Sequence, residues 1–242
     1  MPPSWVPISP CMKERLMGAF YTNRKAADRA VDGFGEVAMY KKQMTLQRIL
    51  CLAAVAVCAL VFFYSLGIMT DLYDGMYFLW DPDKLPEQNL LQGANIYYDM
   101  QPFNKQFTNY SIYFLLLACL LFLTNTHNRR KYYVGNAVST GLFAVGGIAI
   151  SVWGHIQISA FKHQFLTTID FAAYKKIIDD AAKNRKSLAA KYIDSTFWFD
   201  VHYVVFGLVL LVCLLLLANF AWKMFLMNKE KELLAQGKAV AE

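Results

Sequence analysis

Three histidines and one aspartate occupy positions where two apolar segments of the chain end and begin. His155 and His163 follow the third apolar run, in the stretch SVWGHIQISAFKH, and Asp200 and His202 open the fourth, in WFDVHY. Imidazole and carboxylate groups are typical ligands of zinc, copper and iron. We therefore regard His155, His163, Asp200 and His202 as candidate ligands of a transition metal. His155 and His202 are also candidate axial ligands of a haem.

The same histidines fit a structural interpretation. Trp153, Trp198 and Tyr203 are their neighbours in the sequence, and amphipathic side chains of this kind gather where a membrane helix meets water. Asp200 and His202 are two residues apart, so on a helix they would not share a face. Interface packing and metal or haem binding are therefore both open interpretations.

Four apolar segments supply the helices that would position these side chains. Of the 242 residues, 57% are hydrophobic and only 17% are charged, against about a quarter charged in soluble domains. Uncharged runs of this length suit the ~30 Å hydrocarbon core of a bilayer. The sequence therefore predicts an all-α fold, a polytopic membrane protein with four transmembrane helices. The predicted spans are about 49–69, 110–126, 132–154 and 201–224.

Three further segments flank or interrupt this bundle, which as a whole covers 49–225. Residues 1–48 carry apolar side chains at helical spacing from residue 12 onward. This pattern predicts an N-terminal amphipathic segment that lies on the membrane before the chain turns into the first span. Residues 71–109 form one predicted outer loop, and residues 226–242 form a tail.

The second predicted outer loop, 155–200, contains neither glycine nor proline and continues the helical pattern of the third span. This composition favours helix. We expect the third span to project beyond the bilayer, to break near 183–187 and to return as a second helix. The two together would form an outer helical cap between spans three and four.

The distribution of basic residues predicts which side of the membrane each segment faces. Fifteen of the 24 lysines and arginines fall on the side that holds both chain ends, and cytoplasmic segments are enriched in these residues. Both termini are therefore predicted to be cytoplasmic. Residues 1–48 have no apolar core of the kind found in a cleaved signal peptide.

The third span carries the clearest surface for helix packing, because small residues favour close contact between helices in a membrane. Its predicted contact face consists of Ala137, Thr140, Ala144, Gly147, Ser151 and His155. The two amide side chains within the later spans, Asn136 and Asn219, are expected to bond to neighbouring helices.

The spans lack features that most membrane enzymes and pumps require. No span carries an ionisable residue at mid-membrane, whereas proton relays and transporters nearly always do. No serine-nucleophile elbow, phosphate-binding loop or zinc-protease motif is present. The sequence therefore favours a non-enzymatic subunit of a larger membrane complex, whose partners are the lipid bilayer and other membrane subunits, not nucleic acid. Two alternatives are a redox or metal-binding protein that uses the histidines and a channel or transport component.

Overall fold

The computed structural model describes residues 39–68, 79–126, 133–181 and 193–239. Most of these residues are helical and none lies in a strand, which confirms the predicted all-α fold. The helices are α1 (Met39–Ile68), α2 (Ile96–Thr126), α3 (Tyr133–Thr168), α4 (Phe171–Ala181) and α5 (Phe197–Ala239), with a short 3-10 helix at Pro86–Gln88. As predicted, four of them, α1, α2, α3 and α5, are long and apolar enough to cross a membrane.

Contacts divide the chain into two units. The larger unit, 46–221, contains most of every long helix. The smaller unit contains the described parts of 1–45 and 222–242, which are the first turns of α1 and the last turns of α5. In the smaller unit, Gln43 and Lys223 are buried.

In the larger unit the four long helices form an antiparallel bundle in the cyclic order α1, α2, α3, α5. The ring of Tyr64, near the end of α1, packs against Phe107 in the first half of α2 and Phe206 in the first half of α5. Phe107 also contacts Trp153 in the second half of α3, and Gly154 lies against Phe206. Each helix thus runs opposite to both of its neighbours, as in up-down-up-down bundles.

The predicted small-residue face of α3 is buried at Thr140, Ala144, Gly147 and Ser151. A Cβ atom on Gly147 would lie 2.7 Å from the Sγ atom of Cys213, which is closer than side chains approach one another. Since α5 packs directly on the α3 backbone here, glycine is required for this contact.

Towards the end of α3 the buried face follows Gly154 and Ile158 rather than His155. A Cβ on Gly154 would lie 2.6 Å from the Phe206 ring, and Ile158 is fully buried. His155, which was expected to continue the buried face, is exposed at the edge of the bundle. The prediction was wrong for this residue because two four-residue steps in succession, from Gly147 to Ser151 to His155, turn about 80° around a helix of about 3.6 residues per turn, whereas Gly154 stays within about 20° of Gly147.

Three of the predicted spans are shorter than the helices that contain them. The second span was predicted from residue 110, but α2 begins at Ile96. Likewise α5 extends beyond the predicted 201–224 at both ends, and α1 is continuous from 39 to 68 without a turn near 48. Hydropathy detects the apolar part of a helix, so polar turns at either end escape it. The rest of the predicted N-terminal segment, 1–38, lies outside the described residues.

The third span projects as predicted, because its 36 residues make a helix of about 54 Å, well beyond the bilayer core. Helix α3 ends at Thr168, and α4 starts three residues later, directly after Asp170. The carboxylate of Asp170 accepts hydrogen bonds from the backbone N–H groups of Ala172 and Ala173, both at 3.0 Å, as an N-cap residue does. The predicted break at 183–187 lies outside the described residues.

The segment before α2 packs on the end of α3. Gly93 has a φ of +85°, and a Cβ there would lie 2.4 Å from the carbonyl oxygen of Thr168. Both facts require glycine at this position. Nearby, the side-chain amide of Gln164 donates a 2.9 Å hydrogen bond to Asp99.

Candidate functional site

The structure brings together two of the four candidate metal ligands. The Nδ1 atom of His155 on α3 lies 2.8 Å from the Nε2 atom of His202 on α5. This is the distance of a direct N–H···N hydrogen bond. We call the end of the bundle that contains these two residues the histidine end.

The backbone of α5 determines which nitrogen of His202 carries the hydrogen. Its Nδ1 atom bonds to the carbonyl oxygen of Phe199, and a carbonyl can only accept, so Nδ1 is the donor. In the neutral ring Nε2 must then accept a hydrogen bond from Nδ1–H of His155. His155 is left with an unshared electron pair on its own Nε2 atom.

The two histidines differ sharply in their surroundings. His202 is only 1% exposed, whereas His155 is exposed at the edge of the bundle. The phenol ring of Tyr203 lies beside both, with centroids 4.0 Å from His202 and 5.6 Å from His155. A ligand could therefore reach the pair from the His155 side, while α5 holds the His202 ring in place.

Asp200 makes other contacts. Its Oδ1 atom pairs with the ammonium group of Lys162 at 2.6 Å, and its Oδ2 atom accepts a 2.8 Å hydrogen bond from Thr196. Both carboxylate oxygens are thus engaged. The bond to Lys162 joins α3 to α5 beside the histidine pair.

His163 is exposed, and its carbonyl oxygen accepts a bond from the Thr167 hydroxyl within α3. Among the described residues, no group of three or more histidines, cysteines, aspartates and glutamates is close enough to hold a metal ion. Metal binding by His155, His163, Asp200 and His202 stays a prediction. So does haem binding, for which the two imidazole nitrogens would have to move to about 4 Å apart on opposite sides of the iron.

A second set of buried polar side chains lies at the opposite end of the larger unit. The sequence did not predict that these side chains meet. Four side chains, one from each long helix, are no more than 3% exposed and bond to one another. We call them the amide cluster and their end of the bundle the amide end. The members are Gln47, Asn125, Ser139 and Asn219.

The hydrogen bonds of the amide cluster link neighbouring helices. The Nε2 atom of Gln47 donates to Oδ1 of Asn125 at 3.1 Å, and Oε1 of Gln47 accepts from Nδ2 of Asn219. Nδ2 of Asn125 lies 3.3 Å from the hydroxyl of Ser139. The expectation that Asn219 bonds to another helix is therefore confirmed. Gln47 and Asn125 were missed because both lie at the edges of their apolar segments, where amides look like ordinary helix ends.

An apolar groove opens on the surface of the α2–α3 pair, with a volume of about 390 Å³. Gly146 and Ala149 form its floor, and Tyr110, Tyr113 and Trp153 are among its walls. A Cβ atom on Gly146 would lie 3.2 Å from the side chain of Leu117. The groove exists because α3 has almost no side chain at these two positions.

The fold indicates the class of protein. Four apolar helices in an antiparallel bundle fit a multi-pass membrane protein, and their apolar surfaces suit a lipid environment. No protein-family model, no curated protein and no solved structure matches this chain.

Proposed function

We propose that this chain is a non-enzymatic subunit of a larger membrane complex and that the α2–α3 groove receives an apolar helix of a partner subunit. The observation that carries the proposal is the groove itself. It interrupts the apolar surface of two spanning helices at Gly146 and Ala149. Small residues on a membrane helix let another helix approach its backbone closely.

The exposed surfaces of α3 and α5 differ in composition, which supports different roles for the two helices. The exposed large side chains of α3 are mostly valine and isoleucine, and Cβ atoms on Gly135 and Gly141 would meet nothing within 4 Å. The exposed residues of α5 are predominantly leucines, which suit lipid. They include Leu208, Leu210, Leu211, Leu214, Leu215 and Leu217. The partner helix would therefore lie along α3, and α5 would face lipid.

The predicted orientation belongs to the same proposal, with both chain ends in the cytoplasm and the histidine end on the other side. The bond between Gln47 of α1 and Asn219 of α5 supports one part of it, that both chain ends lie on the same side, since these residues precede and follow the rest of the bundle in sequence and lie at one end of it. The choice of the cytoplasm for that side follows from the basic residues. Labelling of single cysteines from each side of sealed vesicles tests this orientation.

The test of the subunit role compares two phenylalanine substitutions, one on α3 and one on α5. Ala149→Phe fills the groove, whereas Leu214→Phe places the same side chain on the lipid-facing surface of α5, at a position that is 64% exposed and outside the groove. Each protein is extracted from its native membrane in mild detergent, and its mass is measured under non-denaturing conditions.

We expect the wild type and Leu214→Phe to carry a second polypeptide in fixed stoichiometry and Ala149→Phe to lose it. A wild-type protein that is a lone monomer contradicts the proposal. So does a complex that survives Ala149→Phe, or a groove that retains lipid alone.

A further inference from the structure

We propose that His155 and His202 together bind one transition-metal ion, with copper(II) preferred over zinc, at the histidine end of the bundle. This inference goes beyond the subunit role and does not depend on it. The ligand atoms are Nδ1 of His155 and Nε2 of His202, which face each other at 2.8 Å.

His202 already has the environment of a metal ligand. A metal-binding histidine typically donates its second ring N–H to a backbone carbonyl or a carboxylate, which sets the tautomer and the ring orientation. Nδ1 of His202 makes this bond to Phe199. Its Nε2 electron pair is therefore directed at His155, and burial of the ring at 1% exposure holds it there.

The present separation of the two nitrogens is close to the separation that a shared metal ion requires. With metal–nitrogen bonds of about 2.0–2.1 Å, two ligands at angles of about 90–110° lie roughly 2.9–3.4 Å apart. The observed 2.8 Å is only slightly shorter. A small movement of the exposed His155 ring would let a metal ion take the place of the shared hydrogen, which would move from Nδ1 to Nε2 of His155, so that both imidazoles stay neutral.

The ligand chemistry limits which ions bind. Two neutral imidazoles favour copper, nickel and zinc, and copper(II) binds most tightly in this series. Magnesium and calcium prefer oxygen ligands, and both oxygens of the nearby Asp200 are engaged by Lys162 and Thr196. The other coordination positions face the exposed side of His155, where water completes them.

The experiment uses the full-length protein without a histidine tag, purified in mild detergent and stripped of metal with a chelator. Copper(II) is titrated, and binding is followed by calorimetry and by electron paramagnetic resonance, which counts the nitrogens on the ion. We expect one copper ion per chain with two imidazole nitrogens, and weaker binding of zinc.

Three single substitutions identify the ligands. His155→Ala and His202→Gln should each weaken copper binding about tenfold or more and remove one nitrogen from the spectrum. His163→Ala, on the same helix as His155, should leave both unchanged. Since His155 is exposed, its variant tests the site even if the buried His202 variant folds poorly.

The proposal is overturned if His155→Ala binds copper as the wild type does. It is also overturned if the wild-type spectrum shows fewer than two nitrogens, or if His163→Ala weakens binding equally.

Discussion

The amide end and the histidine end of this bundle both contain buried polar side chains, but these groups are bonded in different ways. At the amide end, side chains from all four long helices bond to one another and are almost fully buried. At the histidine end, buried His202 bonds to exposed His155, which leaves one ring nitrogen of His155 accessible.

This difference separates a structural group from a candidate binding group. A buried amide without a partner is costly in a low-dielectric interior, so a group shared among four helices specifies their mutual positions. The accessible nitrogen of His155 is an unsatisfied acceptor at the edge of the bundle, where water or a ligand can reach it. Substitutions at the two ends should therefore have different consequences.

The largest expected effect is on helix packing at the histidine end. Gly154→Leu should lower the free energy of unfolding by about 3 kcal/mol, because its Cβ would lie 2.6 Å from the Phe206 ring and overpacked cores lose roughly this much. Unfolding in mixed detergent, followed by circular dichroism, measures the loss. Gly207→Leu is the control, since a Cβ there meets nothing within 4 Å. Equal losses for the two variants would show that the contact of α3 with α5 is not tight.

The next largest effect is expected at the amide end. Gln47→Leu should cost about 1–2 kcal/mol, because it leaves Nδ2 of Asn219 and Oδ1 of Asn125 without their partner in the bundle interior. The same unfolding assay measures this. A triple variant, with Gln47, Asn125 and Asn219 all replaced by leucine, should recover most of the loss, since no buried amide of the cluster remains unpaired. If the triple variant instead loses the sum of the single effects, the cluster is not a coupled unit.

The ion pair beside the histidines should matter less than either group. Lys162→Met should cost under about 1 kcal/mol, because both side chains are partly exposed, at 27% and 41%, and exposed pairs contribute little. Asp200→Asn, which retains an acceptor for Thr196, should cost no more. A loss of several kcal/mol in either variant would mean that the pair is shielded from water and that the histidine end is as closed as the amide end.

The smallest expected effect lies in the segment before α2, outside the spans. The carboxyl group of Asp81 has a pKa below its usual value, chiefly because it accepts a hydrogen bond from the backbone N–H of Asp83 and also because it pairs with Lys84. A lowered pKa in the folded state stabilises this turn above pH of about 4, the value for a free aspartate, and the stabilisation disappears as the pH falls through the folded-state pKa.

Amide hydrogen exchange at Asp83 measures this effect, and its protection relative to the intrinsic exchange rate at each pH should fall as the carboxyl group of Asp81 is protonated. Asp81→Asn should remove most of the pH dependence. A carboxyl group that titrates at or above the ordinary aspartate value would contradict the expectation.

Part of the candidate site could be predicted from the types of residue in the sequence. Histidines beside two apolar segments indicated that His155 and His202 lie near one membrane surface, and an antiparallel pair of spans was enough to place them at one level. The burial of His202 and the exposure of His155 did not follow. They depend on the rotation of each helix about its axis, which is set by contacts such as Gly154 on Phe206.

The amide cluster could not be predicted from the sequence either. Gln47 and Asn125 are 78 residues apart in the chain, and neither lies in a pattern that distinguishes a buried amide from a solvated one. Only packing of α1 against α2 puts them within hydrogen-bonding distance. Likewise, α4 starts directly after Asp170, an N-cap residue, but an isolated aspartate between two helical patterns does not by itself mark a helix start.

The amino-acid sequence by itself determined that this chain is helical and that four of its helices suit a bilayer, because uncharged runs of this length have few other stable solutions. It also determined which face of α3 is packed as far as Ser151, since glycine and other small residues recur there at helical spacing. The tertiary structure alone decided which polar groups meet, which nitrogen of His155 is accessible and where the apolar groove opens. These depend on distances of a few ångströms between helices, and such distances are set by the packing of side chains that are remote in the sequence.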